Sequence, residues 1–196
     1  IVREYQAKYQ HIVYKKIENK GIAANTNAAA ELASGGYLAL ADHDDILAPH
    51  AMYTMGKAIA QLRAEGKPDG FLYSDEALFT KKIEKPLVAH FKPDYAPDYL
   101  LCCNYICHLA VFRRELFEQV GGERPECDGS QDHDLFLRLI EQVGGAAHVP
   151  QVLYYWRVHE GSTSGGTDAK PYVAKAAKKA LADHLERTGR TGTIED

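Results

Sequence analysis

Acidic side chains are grouped in this 196-residue chain where chemistry could use them. Asp42-His43-Asp44-Asp45 directly follows Tyr37 to Ala41, an apolar run that reads as a short, buried inner strand. Ligands of open α/β sheets bind beyond the carboxyl ends of strands, so a site is expected there. If the chain stays extended, Asp42 and Asp44 project the same way. Adjacent carboxylates repel unless a cation lies between them, and oxygen ligands suit Mg²⁺ or Mn²⁺. The alternative is that Asp45 merely begins a turn and the others are solvated. Three acids without a nearby Lys or Arg favour the cation.

Ser130-Gln131-Asp132-His133-Asp134 forms a second group at a helix start. At about 100° per residue, Leu135, Phe136, Leu139, Ile140 and Val143 make one apolar stripe. Asp132 falls near its centre and Asp134 points about the opposite way. An inward carboxylate is expensive without partners or a task. Favourable placement at the helix dipole explains Asp134 well and Asp132 poorly. The third group is Arg157-Val158-His159, followed by the Gly/Ser/Thr loop 161–166. A lone histidine at a strand end is more often structural than a ligand, but the loop is of a kind that closes over substrates.

The elements that must position these groups alternate between periods of two and 3.6, which predicts one α/β domain with a mixed sheet flanked by helices. Strands are expected at His11–Tyr14, Tyr37–Ala41, Phe71–Ser74, Ile106–Phe112 and Val152–Val158. Helices are expected at Ile22–Ala33, after Pro49 to Ala64, from Glu115 to the Gly121-Gly122 pair, from an N-cap at Ser130 to Val143, and from Pro171 to near Gly189. Residues 86–104 read as irregular because Pro86, Pro93 and Pro97 interrupt them. The segment 167–196 is a carboxy-terminal helix and tail, whose mixed Ala/Lys face does not decide between covering the core and reaching a membrane.

Composition excludes several classes. A formal net charge of −4 and 45% hydrophobic residues fit a globular protein without the basic excess of a nucleic-acid binder. Apolar stretches fall short of the roughly 20 residues of a spanning helix. Cys102, Cys103, Cys107 and Cys127 match no zinc spacing and read as reduced thiols, pointing to the cytoplasm.

Several ordered motifs over about residues 11–165 resemble family 2 glycosyltransferases of the GT-A fold, in the rhamnosyltransferase-like branch that builds bacterial surface polysaccharides. They are Glu18-Asn19-Lys20-Gly21-Ile22-Ala23-Ala24-Asn25-Thr26-Asn27, Gly35-Gly36-Tyr37 through Asp42-His43-Asp44-Asp45, Tyr73-Ser74-Asp75-Glu76, Phe91-Lys92-Pro93-Asp94, Gly129 to Leu135, and Tyr155 to His159. The resemblance implies an inverting, metal-dependent transfer of sugar from a nucleoside-diphosphate donor to a saccharide or lipid-linked acceptor, at the inner face of the cell membrane. It places Asp42, Asn19 and Gly21 at the donor nucleotide, Asp44 and His159 on Mn²⁺ or Mg²⁺, and Asp132 as catalytic base, with Gln131 replacing the family's usual acid. Asn104 and Tyr105 become acceptor candidates, while Asp75 and Glu76 either border the donor sugar or end their strand.

The family's opening strands are not recognised, so the sequence reads as an amino-terminally truncated domain missing its first strands. Weak diphosphate binding and slow or no turnover are expected of such a fragment. Exposed sheet edges would invite a homodimer. Rival readings are a metal-dependent phosphohydrolase, suggested by His43-Asp44 and His133-Asp134, a nucleotidyltransferase, and a non-catalytic carbohydrate-binding module.

Overall fold

The computed structural model describes residues 1–159 and 171–195. Its helices are α1 (Val2–Lys8), α2 (Ile22–Ala30), α3 (Ala51–Ala64), α4 (Pro97–Cys102), α5 (Arg114–Gln119), α6 (Gln131–Val143) and α7 (Pro171–Thr188). Its strands are β1 (Tyr37–Ala39), β2 (Ile46–Leu47), β3 (Phe71–Phe79), β4 (Val88–His90), β5 (Ala110–Arg113) and β6 (Ala147–Arg157). They form one mixed sheet in the order β1-β5-β3-β6-β2, with β4 on the distal part of β3. Among the described residues only the β3–β6 pair is parallel. The core has one cluster around Phe71, Phe112 and Phe136 and another around Met55, Leu72 and Tyr154. Among the described residues no helix is long and apolar enough to cross a membrane.

β1 and β2 are consecutive in the chain but lie at opposite edges of the sheet. The connection between them, residues 40–45, therefore crosses the sheet's end and carries its acids over the ends of the intervening strands. The expected inner strand at Tyr37 is an edge strand, paired with β5 and with Ala39 exposed. Asp69 ties that edge down by accepting bonds from the Tyr37 hydroxyl, Arg63 and Arg113. Burial alone would raise its proton affinity, but these three donors hold its carboxyl down at about 2.

Several expectations are corrected. His11–Tyr14 is not a strand: segment 9–20, apart from the half-buried Ile12, is exposed and finds no neighbouring strand among the described residues. The stretch 86–104 holds β4 and α4, because Pro86 precedes β4 and Pro97 opens α4 at a position where a proline is tolerated. β3 runs to Phe79 rather than stopping at Ser74, so Asp75 and Glu76 lie inside a strand. The loop 161–166 lies outside the described residues.

α6 is the element that departs most from its sequence pattern. It is buried from His133 to Ile140, because α7 and the turn at Pro125–Cys127 cover the side opposite the sheet. Asp134 is therefore not a solvated first-turn acid: it is 0% exposed. Arg124 Nε (3.0 Å) and Arg138 Nε (2.8 Å) both donate to its carboxylate. Arg138 also donates to the carbonyls of Val120 and Gly122, and Arg124 pairs with Asp183 of α7 at 2.7 Å. Removing one partner of a buried ion pair strands the other charges, at a cost of about 3–5 kcal/mol. Asp134→Ala is accordingly expected to destabilise the fold by about that amount in urea denaturation.

Candidate active site

The turn after β1 is built by β6. The Asp45 N–H bonds to the Asp42 carbonyl at 3.3 Å, so residues 42–45 form a turn, the alternative to an extended run with Asp42 and Asp44 on one side. The buried Tyr154 hydroxyl accepts the Asp42 N–H at 2.9 Å and donates to Asp45 at 2.6 Å. Arg157 donates its backbone N–H to the Asp45 carboxylate at 2.7 Å and its Nε to the Asp44 carbonyl at 2.6 Å. Asp45 is thus consumed in fixing the turn, while Asp42 and Asp44 line a cleft of about 890 Å³.

The electrostatics of this turn are crowded. Burial, followed by Asp45, Asp44 and Asp132, raises the proton affinity of Asp42 despite the pull of His108. For Asp44, slight burial is outweighed by bonds from His159 and its own backbone and by the charges of His43 and His159. Its carboxyl is held below the ordinary range. His159 Nε2 lies 2.9 Å from Asp44 Oδ2, so an imidazole and a carboxylate converge on one point. A second convergent set is Asp42, Asp45 and His108, whose ligand atoms all lie within 4.8 Å of one another. The carboxylate oxygens of such a set suit Mn²⁺ or Mg²⁺, and an imidazole nitrogen beside them is a ligand more typical of transition metals.

Across the cleft, Asp132 stands in the first turn of α6, on the wall shared with Asn104. Asn104 Nδ2 donates to Asp132 Oδ2 at 2.8 Å, which fixes the carboxylate's direction. Ser130 makes no side-chain cap for α6 and instead donates to the Val173 carbonyl of α7 at 3.4 Å. α7 adds Tyr172, Ala177 and Leu181 to the cleft wall.

Other candidates are placed elsewhere. Asn19 and Gly21 do not line the cleft; they build the start of α2. Asn19 Oδ1 accepts bonds from the Gly21 N–H and from Asn25, while Asp128 takes the Ile22 and Ala23 N–H groups at 3.2 and 2.9 Å. Gly21 has φ +106°, and a Cβ there would meet Asp128 Oδ2 at 2.3 Å, so glycine is required for the cap itself. Tyr105 is buried in the core, stacked on Tyr99, with its hydroxyl accepting the Ala96 N–H.

Asp75 and Glu76 are likewise buried away from the cleft. Asp75 accepts bonds from the Lys92 N–H and from His148, and Glu76 from Lys92 Nζ and the His108 N–H. Lys92 Nζ also donates to the Ile106 and His108 carbonyls. These acids hold the backbone behind His108, whose ring stacks on Tyr154 and faces Asp42 at 3.7 Å.

His108 and Glu123 also line the cleft. His108 could have been noticed as a histidine inside an otherwise apolar run. Glu123, just after Gly121-Gly122, gave no periodic signal. It is 3% exposed, and burial, with Asp132 and Asp128 adding, raises its carboxyl to about 7.

Family comparison agrees with this architecture. The model of the family described as Glycosyl transferase family 2 matches residues 1–121. The chain belongs to that family. It is 38% identical over 192 residues to the uncharacterized protein y4gI of Sinorhizobium fredii, covering 96% of this chain and 20% of that protein. It is 31% identical over 196 residues to the O-antigen biosynthesis protein RfbC of Myxococcus xanthus, covering 99% of this chain and 15% of that one. The chain thus spans a fifth or less of the length of these curated relatives.

Among solved structures, TarS 1-349 of S. aureus in complex with UDP-GlcNAc superposes with a TM-score of 0.65 at 13% identity, over 98% of this chain and 55% of that one. A mannosyltransferase of Pyrobaculum calidifontis in complex with GDP-Man and Mn²⁺ gives 0.55 at 17% identity, over 99% and 52%. The mixed sheet flanked by helices is the GT-A-like fold of these neighbours.

The raised Glu123 carboxyl has a consequence for stability. Folded, it keeps its proton up to about 7; unfolded, only to the ordinary 4.5. Between these values the native state holds the extra proton, so stability falls as pH rises, and the loss is complete above about pH 7. The gap corresponds to about 3 kcal/mol. Urea titrations of the wild type at about pH 5 and about pH 8 should carry a contribution of that order from Glu123, and Glu123→Gln should remove that contribution from the pH dependence.

Proposed function

We propose that the domain catalyses an inverting, divalent-cation-dependent transfer of a sugar from a nucleoside-diphosphate sugar to a saccharide acceptor, in the synthesis of a surface polysaccharide. The observation that carries this reading is one cleft lined on one side by Asp42 and Asp44, the latter bonded to His159, and on the other by Asp132 held by Asn104. Family membership and the O-antigen biosynthesis relative support the reaction class, and the nucleotide-sugar complexes of the structural neighbours support the donor class.

In this reading Asp44 and His159 hold the cation, with Asp42 beside them at the donor. Once bound, such a cation neutralises charge growing on the departing diphosphate. Asp132 takes the proton of the acceptor hydroxyl while that oxygen attacks the anomeric carbon. The new carbon–oxygen bond forms on the face opposite the diphosphate, whose bond breaks with its electron pair leaving on phosphate oxygen, so the configuration inverts. Asn104 keeps the Asp132 carboxylate turned into the cleft. The phosphohydrolase reading loses one of its two His-Asp pairs: His133 is buried against the Leu100 carbonyl at 2.8 Å and Asp134 is locked in its arginine pairs.

The test is a screen of the full-length protein over nucleotide sugars with Mn²⁺, following diphosphate release and the anomeric configuration of the product by NMR. Asp132→Asn is expected to lower turnover by about 100- to 10,000-fold while leaving nucleotide affinity unchanged. Asp44→Asn is expected to weaken the Mn²⁺-dependent part of nucleotide binding. Unimpaired turnover by Asp132→Asn, or a product of retained configuration, would refute the mechanism; a non-catalytic binding module would show no turnover in the wild type.

A further inference from the structure

We propose that Glu123 is a specificity-determining residue of this domain, its carboxyl binding a hydroxyl of an uncharged saccharide that enters the cleft on the Asp132 side. This deepens the transfer reading and rests on it for the saccharide's role as acceptor.

Glu123 is anchored through its backbone. Its N–H donates to Asn27 Oδ1 and its carbonyl accepts from Asn27 Nδ2, both at 2.8 Å, so the amide of α2 grips its peptide on both sides. The approach is close: Gly122 has φ +72°, and a Cβ there would lie 2.5 Å from Asn27 Oδ1. Glu123 lines the cleft together with Thr26 and Asp132.

Its carboxyl is nevertheless incompletely satisfied. Thr26 reaches it, but Oε2 is shielded from solvent and has no partner among the described residues. Arg138, the nearby cation, is engaged by Asp134 and the Val120 and Gly122 carbonyls. An orphaned buried acceptor costs about 1–3 kcal/mol, and native proteins keep few of them without a reason. In a cleft wall, a ligand group that completes the bond supplies that reason. A carboxyl raised to about 7 by burial and its acid neighbours offers both a donor and an acceptor to one hydroxyl near neutrality.

The surroundings select the ligand's chemistry. Thr26, Gln131 and Asp132 give this part of the cleft polar groups, and Ile22 and Ala30 give it apolar surface. A pyranose ring has a hydroxyl edge and an apolar C–H face and matches both. Asp132 on the same wall disfavours a carboxylate-bearing ring, so an uncharged sugar is preferred to a uronic acid.

The experiment uses saturation-transfer NMR on the full-length protein with UDP or GDP and Mn²⁺ present. The probes are methyl glycosides of rhamnose, galactose and mannose and the methyl glycoside of glucuronic acid. At least one neutral glycoside is expected to bind and the glucuronide to bind at least about tenfold more weakly. Glu123→Gln, which keeps hydrogen-bonding atoms, should stay within about threefold of wild type, while Glu123→Leu should lose about tenfold or more with nucleotide affinity unchanged. Urea denaturation of both variants verifies that they fold. Wild-type affinity in Glu123→Leu, a preference for the glucuronide, or no neutral glycoside bound by the wild type overturns the proposal. Failure of the transfer reading would show separately, as absent turnover with saccharide binding and its Glu123 dependence intact.

Discussion

The buried carboxylate of Asp134 is the interaction on which the cleft depends. Two guanidinium groups converge on it, and each continues outward: Arg138 to the carbonyls at the end of α5, Arg124 to Asp183 of α7. One charge thereby fixes α6, the segment carrying Glu123, and the helix that forms part of the cleft wall. Asp132 lies two residues away, in the same helical turn. A buried ion cluster of this kind stabilises little compared with an apolar core, but it tolerates very few alternative arrangements. That suits a helix whose first turn must present one carboxylate in one direction.

The opposite wall follows the same logic with a different device. The crossing of residues 40–45 over the sheet's end would be a loose loop without β6. Tyr154 and Arg157 take up the Asp42 N–H, the Asp45 carboxylate and the Asp44 carbonyl. Burial, and then the neighbouring carboxylates of Asp45, Asp44 and Asp132, raise the proton affinity of Asp42, a repulsion that a divalent cation would relieve. Carboxylates on both sides of a cleft, with their positions fixed by buried partners, are what the proposed cation-dependent transfer requires.

A similar fixation accounts for the acids that do not reach the cleft. Asp75 and Glu76 lie in β3 and grip Lys92, His148 and the His108 backbone. Their contribution is indirect, through the placement of His108 beside Asp42. Asn19 and Gly21 act in the same manner on α2, shaping its first turn around the carboxylate of Asp128.

Local pattern was legible in the sequence wherever neighbours in the chain are also neighbours in space. The alternation of strands and helices, the position of Asp42 and Asp44 after a strand, and the inward face of Asp132 all follow from periodicities of two and 3.6. The motifs were enough to suggest the family as well. What escaped were properties set by partners far along the chain. Whether Tyr37–Ala39 is an inner or an edge strand depends on sheet order; whether Asp134 is solvated depends on α7. Whether Gly21 serves a ligand or a cap depends on Asp128, 105 residues beyond Ala23. Glu123 carries no local signature at all, because its burial comes from the packing of α2 and α6 around it. The sequence by itself determined which groups can do chemistry; tertiary structure alone decided which of them face the cleft, because burial and hydrogen bonding belong to contacts that periodicity does not encode.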